Sequence, residues 1–89
     1  MDARRRRILF RARHRGTRET DLLLGGFVAE TVAALDEAGL DALEAVLDLP
    51  DPDLFDWLTG RRAVPAATET PLLRAMVAWA QARRGMGRV

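Results

Sequence analysis

The chain has 89 residues, 30% of them charged, and a formal net charge of +1. It contains no Cys, Ser, Tyr or Lys and only one His, which excludes a disulfide framework, a thiolate metal site and a multi-histidine centre, and leaves few groups for nucleophilic or acid–base catalysis. A single domain of this size, expected over residues 1–89, buries only about 60% of its unfolded surface, so each apolar residue counts.

The near-neutral total conceals a polar layout. Residues 1–18 hold eight Arg and one Asp, residues 19–56 hold eleven acids and no base, and residues 57–89 hold six Arg and one Glu. The basic ends are expected to fold partly against the acidic middle. No apolar run approaches the ~20 residues that span a bilayer. Arg4–Arg7 is followed only by Ile8, Leu9 and Phe10, too short for a signal-peptide core. The expectation is a soluble cytoplasmic protein.

In chain order, the first helix is expected from about Ala3 to His14, docked through Ile8, Leu9 and Phe10 and surrounded by arginines. The second is expected from Thr17 or Arg18 to Ala34, because Leu23, Phe27, Val28, Thr31, Val32 and Leu35 repeat with helical spacing. Gly25-Gly26 in its middle costs about 1 kcal/mol per Gly relative to Ala. The pair implies a kink or the close approach of a neighbour. Asp36 can cap a third helix from about Glu37 to Asp48, with Leu40, Leu43, Val46 and Leu47 on its buried face. Alternatively, Gly39 ends the second helix, and Asp41 and Glu44 form a capping box for the third. A short fourth helix follows, with Asp51 as N-cap, Pro52 at the first position and Gly60 as the stop. After a loop from Arg61 to Thr68, Thr70 caps a last helix from Pro71 to Arg84, ended by Gly85. The first few residues and residues 85–89 are expected to be disordered. No segment alternates as a strand does, so the fold class is all-α, a compact bundle of five short helices. Its expected core is Leu23, Phe27, Val28, Val32, Leu43, Leu47, Leu54, Trp57, Leu58, Leu73, Met76 and Val77.

The sign of charge flips at Arg15-Gly16-Thr17-Arg18-Glu19, between the first two helices. Gly16 can take a positive φ or admit a close backbone. With Gly16 as N-cap, Glu19 falls at N3, and its carboxylate can reach back to the Gly16 N–H. Arg15 and Arg18 flank it with planar donors suited to carboxylates or phosphates. On residue chemistry alone this is a capped corner between helices. Few catalytic groups and little room for a pocket make a binding module the better class than an enzyme.

Two blocks carry a resemblance. His14-Arg15-Gly16-Thr17-Arg18-Glu19-Thr20-Asp21-Leu22-Leu23-Leu24 resembles the Arg-Gly-x-x-Glu corner and Asp-Leu-rich helix of the SdhE family of FAD assembly factors, the flavinylation factors of succinate dehydrogenase. Asp51-Pro52-Asp53-Leu54-Phe55-Asp56-Trp57-Leu58 resembles the same family's second block. The resemblance spans nearly the whole chain and is most like members from α-proteobacteria. It implies a helical bundle that binds the flavoprotein subunit of succinate dehydrogenase or fumarate reductase and promotes covalent attachment of FAD to a His of that subunit. It implies no enzyme activity and no cofactor bound tightly by the chain itself. The working residues would be Arg15, Gly16 and Glu19, with Arg11, His14, Arg18 and Asp21 in the same partner-binding surface.

Arg13, Thr20 and Gly26 depart from the family pattern, in which an aromatic or small residue, Met or Leu, and a residue other than Gly are usual. The protein is expected to be a monomer, with no catalytic or metal site, no nucleic-acid partner and no membrane insertion. The competing readings are a nucleic-acid-associated protein using the arginines of residues 4–13 as a phosphate-binding arm, and an antitoxin-like binding module. The acidic middle argues against a broad basic footprint.

Overall fold

The computed structural model describes residues 1–87 of the chain. Five α-helices form the bundle: α1 Ala3–Arg13, α2 Arg18–Thr31, α3 Glu37–Leu47, α4 Asp51–Leu58 and α5 Pro71–Gly87, with a 3-10 turn Val32–Ala34 after α2. No strand occurs among the described residues, and none of their helices is long and apolar enough to cross a membrane.

Local chemistry sets most boundaries. Asp2 caps α1 by accepting from the Arg5 N–H at 2.8 Å. Asp36 caps α3 by accepting from the Gly39 N–H at 2.8 Å, which settles the ambiguous boundary in favour of a helix starting at Glu37. The Thr70 hydroxyl accepts from the Leu73 N–H at 3.1 Å at the start of α5. Gly60 follows α4 with φ +79°, and the Arg61 N–H reaches back to the Asp56 carbonyl at 2.8 Å, so the terminal carbonyls are satisfied by a left-handed turn.

Other boundaries differ from expectation. The α-helical part of α2 stops at Thr31, three residues before Ala34, where a β-branched pair begins a tighter turn. The carbonyls freed there are taken by Arg5, whose Nε donates to Val32 O at 3.0 Å and whose Nη2 donates to Leu35 O at 2.5 Å. α4 begins at Asp51 itself, with Pro50 as its N-cap, so Asp51 is not the cap. Gly85 does not end α5, which runs to Gly87. A Gly near a helix end costs helix propensity but does not by itself break the ladder. Residues 88–89 lie outside the described residues.

The core is built from Ile8 and Ala12 of α1, Leu24, Phe27 and Val28 of α2, then Val32, Leu40, Leu43, Val46, Leu47, Leu54, Trp57, Leu58, Leu73, Met76 and Ala80. Two expected members, Leu23 and Val77, are only half-buried at its edge. α2 is turned so that Thr20, Leu24, Phe27 and Val28 face inward, and its buried stripe therefore starts on a polar residue. Phe10, expected to help dock α1, is 63% exposed, because Ile8 and Ala12 fix the opposite face.

Gly25 and Gly26 explain themselves by close approach. A Cβ on Gly25 would sit 2.8 Å from Cγ of Arg13, and one on Gly26 would sit 2.6 Å from the tip of the Trp79 ring. Consecutive helical residues point about 100° apart, so the pair lets α2 meet α1 on one side and α5 on the other. Trp79 also meets Phe27 edge-on at 6.1 Å and carries Arg83 over its face at 4.9 Å.

The charge layout folds as expected between α1 and α3. Glu37, Asp41 and Glu44 form one stripe of α3 and converge on Arg4, at 2.6, 2.6 and 2.7 Å. Arg11 pairs with Asp48 at 2.7 Å. The arginines of residues 4–13 therefore do not all project outward as a free basic arm.

Candidate functional site

The corner between α1 and α2 is built by three side chains that turn inward. Arg15 has a side chain only 12% exposed. Its Nε donates to Asp51 Oδ1 at 2.7 Å, its Nη2 donates to Leu49 O at 3.0 Å, and its Nη1 donates to Leu47 O. The guanidinium thus closes the C-terminal end of α3 and ties the start of α4 to the corner. A cation suits that end of a helix, where carbonyls lack intrahelical donors. Asp21, in the first turn of α2, accepts from the Arg15 backbone N–H at 2.5 Å. Arg15 is therefore held at both its backbone and its side chain.

Between these anchors the chain turns outward. Gly16 has φ +110°, a conformation that L side chains rarely adopt, and nothing lies within 4 Å of where its Cβ would be. Its backbone is open to approach from outside. Thr17, not Gly16, is the N-cap of α2, and its side chain makes no cap bond. Glu19 consequently falls at N2 instead of N3, so the expected reach back to Gly16 does not form. Glu19 and Arg18 are exposed. Neither side chain has a hydrogen bond or ion pair among the described residues.

The remaining expected residues border this turn. His14 is exposed, stacks on Phe10 with ring centroids 4.0 Å apart, and its Nδ1 lies 2.7 Å from Phe10 O. Arg11 is half-exposed and paired with Asp48. Two shallow grooves flank the corner. One, of about 280 Å³, is lined by Phe10, Arg11, His14, Arg15 and Asp51. The other, of about 330 Å³, is lined by Thr17, Thr20, Asp51, Pro52, Phe55 and Asp56.

The seven expected residues thus separate. Gly16, Arg18, Glu19 and His14 are exposed at the surface, Arg11 lies at the edge, and Arg15 and Asp21 brace the corner from within. Sequence reasoning missed Asp51 as the counter-ion of Arg15. No local signal marks it: Pro50 occupies the N-cap position without a side-chain bond, and the Asp51 carboxylate is taken by Arg15. It also missed Phe10, whose exposure the helical phase of Ile8 and Ala12 implied. Thr20 is 1% exposed, and its hydroxyl has no partner among the described residues. No group of three or more His, Cys, Asp or Glu among them could hold a metal ion.

The arrangement offers an exposed turn flanked by two shallow grooves. The family model described as the flavinator of succinate dehydrogenase matches residues 6–80. A protein named FAD assembly factor SdhE from Acetobacter pasteurianus is 51% identical over 93% of this chain and 76% of its own length. The mitochondrial succinate dehydrogenase assembly factor 2 of Arabidopsis thaliana is 42% identical over 79% of this chain, and that of Dictyostelium discoideum 37% over 79%. The chain spans only 38% and 50% of those two. No solved structure matches the chain. A match over most of the chain, with both motif blocks inside it, places the protein in the succinate dehydrogenase flavinator family.

Proposed function

We propose that this chain is an assembly factor that docks its α1–α2 corner on the flavoprotein subunit of succinate dehydrogenase or fumarate reductase and promotes covalent attachment of FAD there. The observation that carries the reading is an open Gly16 backbone beside an unpaired Glu19, in a chain whose relatives bear assembly-factor names. The protein acts in the cytoplasm as a monomer. It is not itself an enzyme and holds no FAD tightly of its own.

In this reading the chain works by holding its partner in a reacting geometry. Positioning of reacting groups contributes about 7–11 kcal/mol at best, and a small rigid clamp on a mobile subunit can supply part of that. Gly16 lets the partner's surface approach the backbone. Glu19 gives the partner an orienting acceptor. Arg15, Asp21 and Asp51 keep the corner fixed, so little ordering is left to occur on binding.

The test compares Gly16→Ala with Gly16→Arg, co-expressing each with the flavoprotein subunit and reading protein-bound flavin fluorescence in a denaturing gel. Both variants carry the backbone strain of a non-Gly residue at positive φ, about 1–3 kcal/mol. Only Arg fills the open space. Gly16→Arg is expected to lose covalent flavin while Gly16→Ala, once its fold is verified by melting, retains most of it. A folded Gly16→Arg with full covalent flavin would reduce the corner to a structural turn. A wild-type chain that never raises covalent flavin refutes the function itself.

A further inference from the structure

The fold divides the eight arginines of residues 1–18 into two sets. Arg4, Arg5, Arg11 and Arg15 turn inward onto acids and helix-end carbonyls. Arg6, Arg7, Arg13 and Arg18 are exposed. Arg6 reaches only the Met1 carbonyl, and Arg7, Arg13 and Arg18 have no polar partner among the described residues. Eleven acids lie in residues 19–56, yet none is spent on this second set beyond its general field. Positions 6, 7, 10, 13 and 14 share the outer face of α1 by helical spacing. Phe10 is 63% exposed within that face and is stacked on His14. On α2, Leu22 stands one turn beyond Arg18 and is 64% exposed. Arg13 and Leu22 line one groove over Gly25 and Gly26, of about 340 Å³. The face runs into the Gly16 corner through Phe10 and His14.

Resting on the function proposed above, we infer that this arginine face is a second docking surface, which captures an acidic strip on the flavoprotein subunit and steers it onto the corner. The chemistry favours a protein surface. Unpaired guanidiniums bind carboxylates with a planar fork, and Arg with exposed aromatic rings is the typical composition of interface anchors. A helix lying in a lipid interface needs a continuous apolar face, whereas the outer face of α1 carries one apolar side chain, Phe10, among arginines and His14.

The test measures association of the full chain with the purified flavoprotein subunit at low and high ionic strength, for wild type, Arg7→Glu/Arg13→Glu and Arg61→Glu. Arg61 lies on the α4–α5 loop, outside this face. Steered association gains roughly 10–10³-fold in rate and loses it with salt. The double reversal is expected to slow association at least about tenfold at low salt, to converge with wild type at high salt, and to reach full covalent flavin when supplied in excess. That last readout separates it from Gly16→Arg, which fails at any concentration. Unchanged association of the folded double variant overturns the inference and leaves the proposed function standing, as does equal slowing by Arg61→Glu. Anionic phospholipid vesicles and duplex DNA serve as further probes. If the double reversal abolishes binding to either while flavoprotein association is unaltered, the face belongs to that partner instead. A wild-type chain that neither binds the subunit nor raises covalent flavin fails both readings at once, and the flavin assay identifies that case.

Discussion

Replacing Arg15 with Ala removes a guanidinium from three acceptors at once: the Asp51 carboxylate and the Leu47 and Leu49 carbonyls. Each hydrogen bond to a charged donor contributes about 1.5–3 kcal/mol in a buried setting. Water reaches this site in part, since the Asp51 side chain is 33% exposed, so the ion pair counts for less. The carbonyls at the end of α3 then dominate, and a net loss of about 3 kcal/mol follows, at the lower edge of what breaking a buried pair costs. A domain of this size has only about 4–13 kcal/mol in all. At roughly 4–8 °C per kcal/mol, the melting temperature should fall by about 12–24 °C. Arg15→Lys keeps the charge but not the fork, so it should recover only part of the loss. The assay is thermal and urea unfolding of wild type, Arg15→Ala, Arg15→Lys and Asp51→Asn, with the denaturant slope checked for constancy. A double-mutant cycle between positions 15 and 51 isolates the pair from the carbonyls. If Arg15→Ala melts with the wild type, the guanidinium braces nothing, and Arg15 must be sought at the partner surface.

Further outcomes follow from other residues. Glu19 is exposed and unpaired, so Glu19→Ala should change stability by no more than about 0.5 kcal/mol while lowering covalent flavin; Glu19→Gln should keep more activity than Ala if the carboxylate orients the partner, and no more than Ala if it moves a proton. Thr20→Val removes a buried hydroxyl without a partner and should raise stability by about 1 kcal/mol or more in urea unfolding; a fall would mean that the hydroxyl is satisfied. A hydrogen bond from Arg83 holds the Glu30 carboxyl below its ordinary value of 4.5, and the Arg5 N–H does the same for Asp2 relative to 3.8. A depressed folded-state pKa contributes stability above the ordinary value and loses it as pH falls through the folded one. Glu30→Gln should therefore melt below wild type at pH 6, with the gap narrowing as pH falls below 4.5, and a constant gap would show that the Arg83 pair is not responsible.

What the sequence revealed was mostly what is local. The caps at Asp36 and Thr70, the stop at Gly60 and the buried face of α3 each depend on residues within a turn or two, and all are present in the structure. Errors arose where a distant partner decided. Asp51 reads as a cap until Arg15, thirty-six positions earlier, is seen to bind it. Glu19 reads as half of a capping box until Asp21 takes the N–H of Arg15 and shifts the start of α2 by one residue. Leu23 displaced Leu24 from the expected core because the inward stripe of α2 begins on Thr20, a residue that hydropathy places outside. The corner itself was legible as a motif. Which of its side chains face a partner was not, since Arg15 and Arg18 look alike in one dimension and differ only in what lies behind them.

The contact between Gly26 and Trp79 binds together two positions fifty-three residues apart. The ring occupies the space that a first side-chain carbon would need, so neither site is free to drift alone. Relatives that carry a side chain at position 26, the usual state in the family, should hold a residue smaller than Trp at position 79 or set α5 farther from α2. Substitutions at the two sites should therefore appear in the family tree as paired events, with the intermediate carrying both bulky residues missing from it.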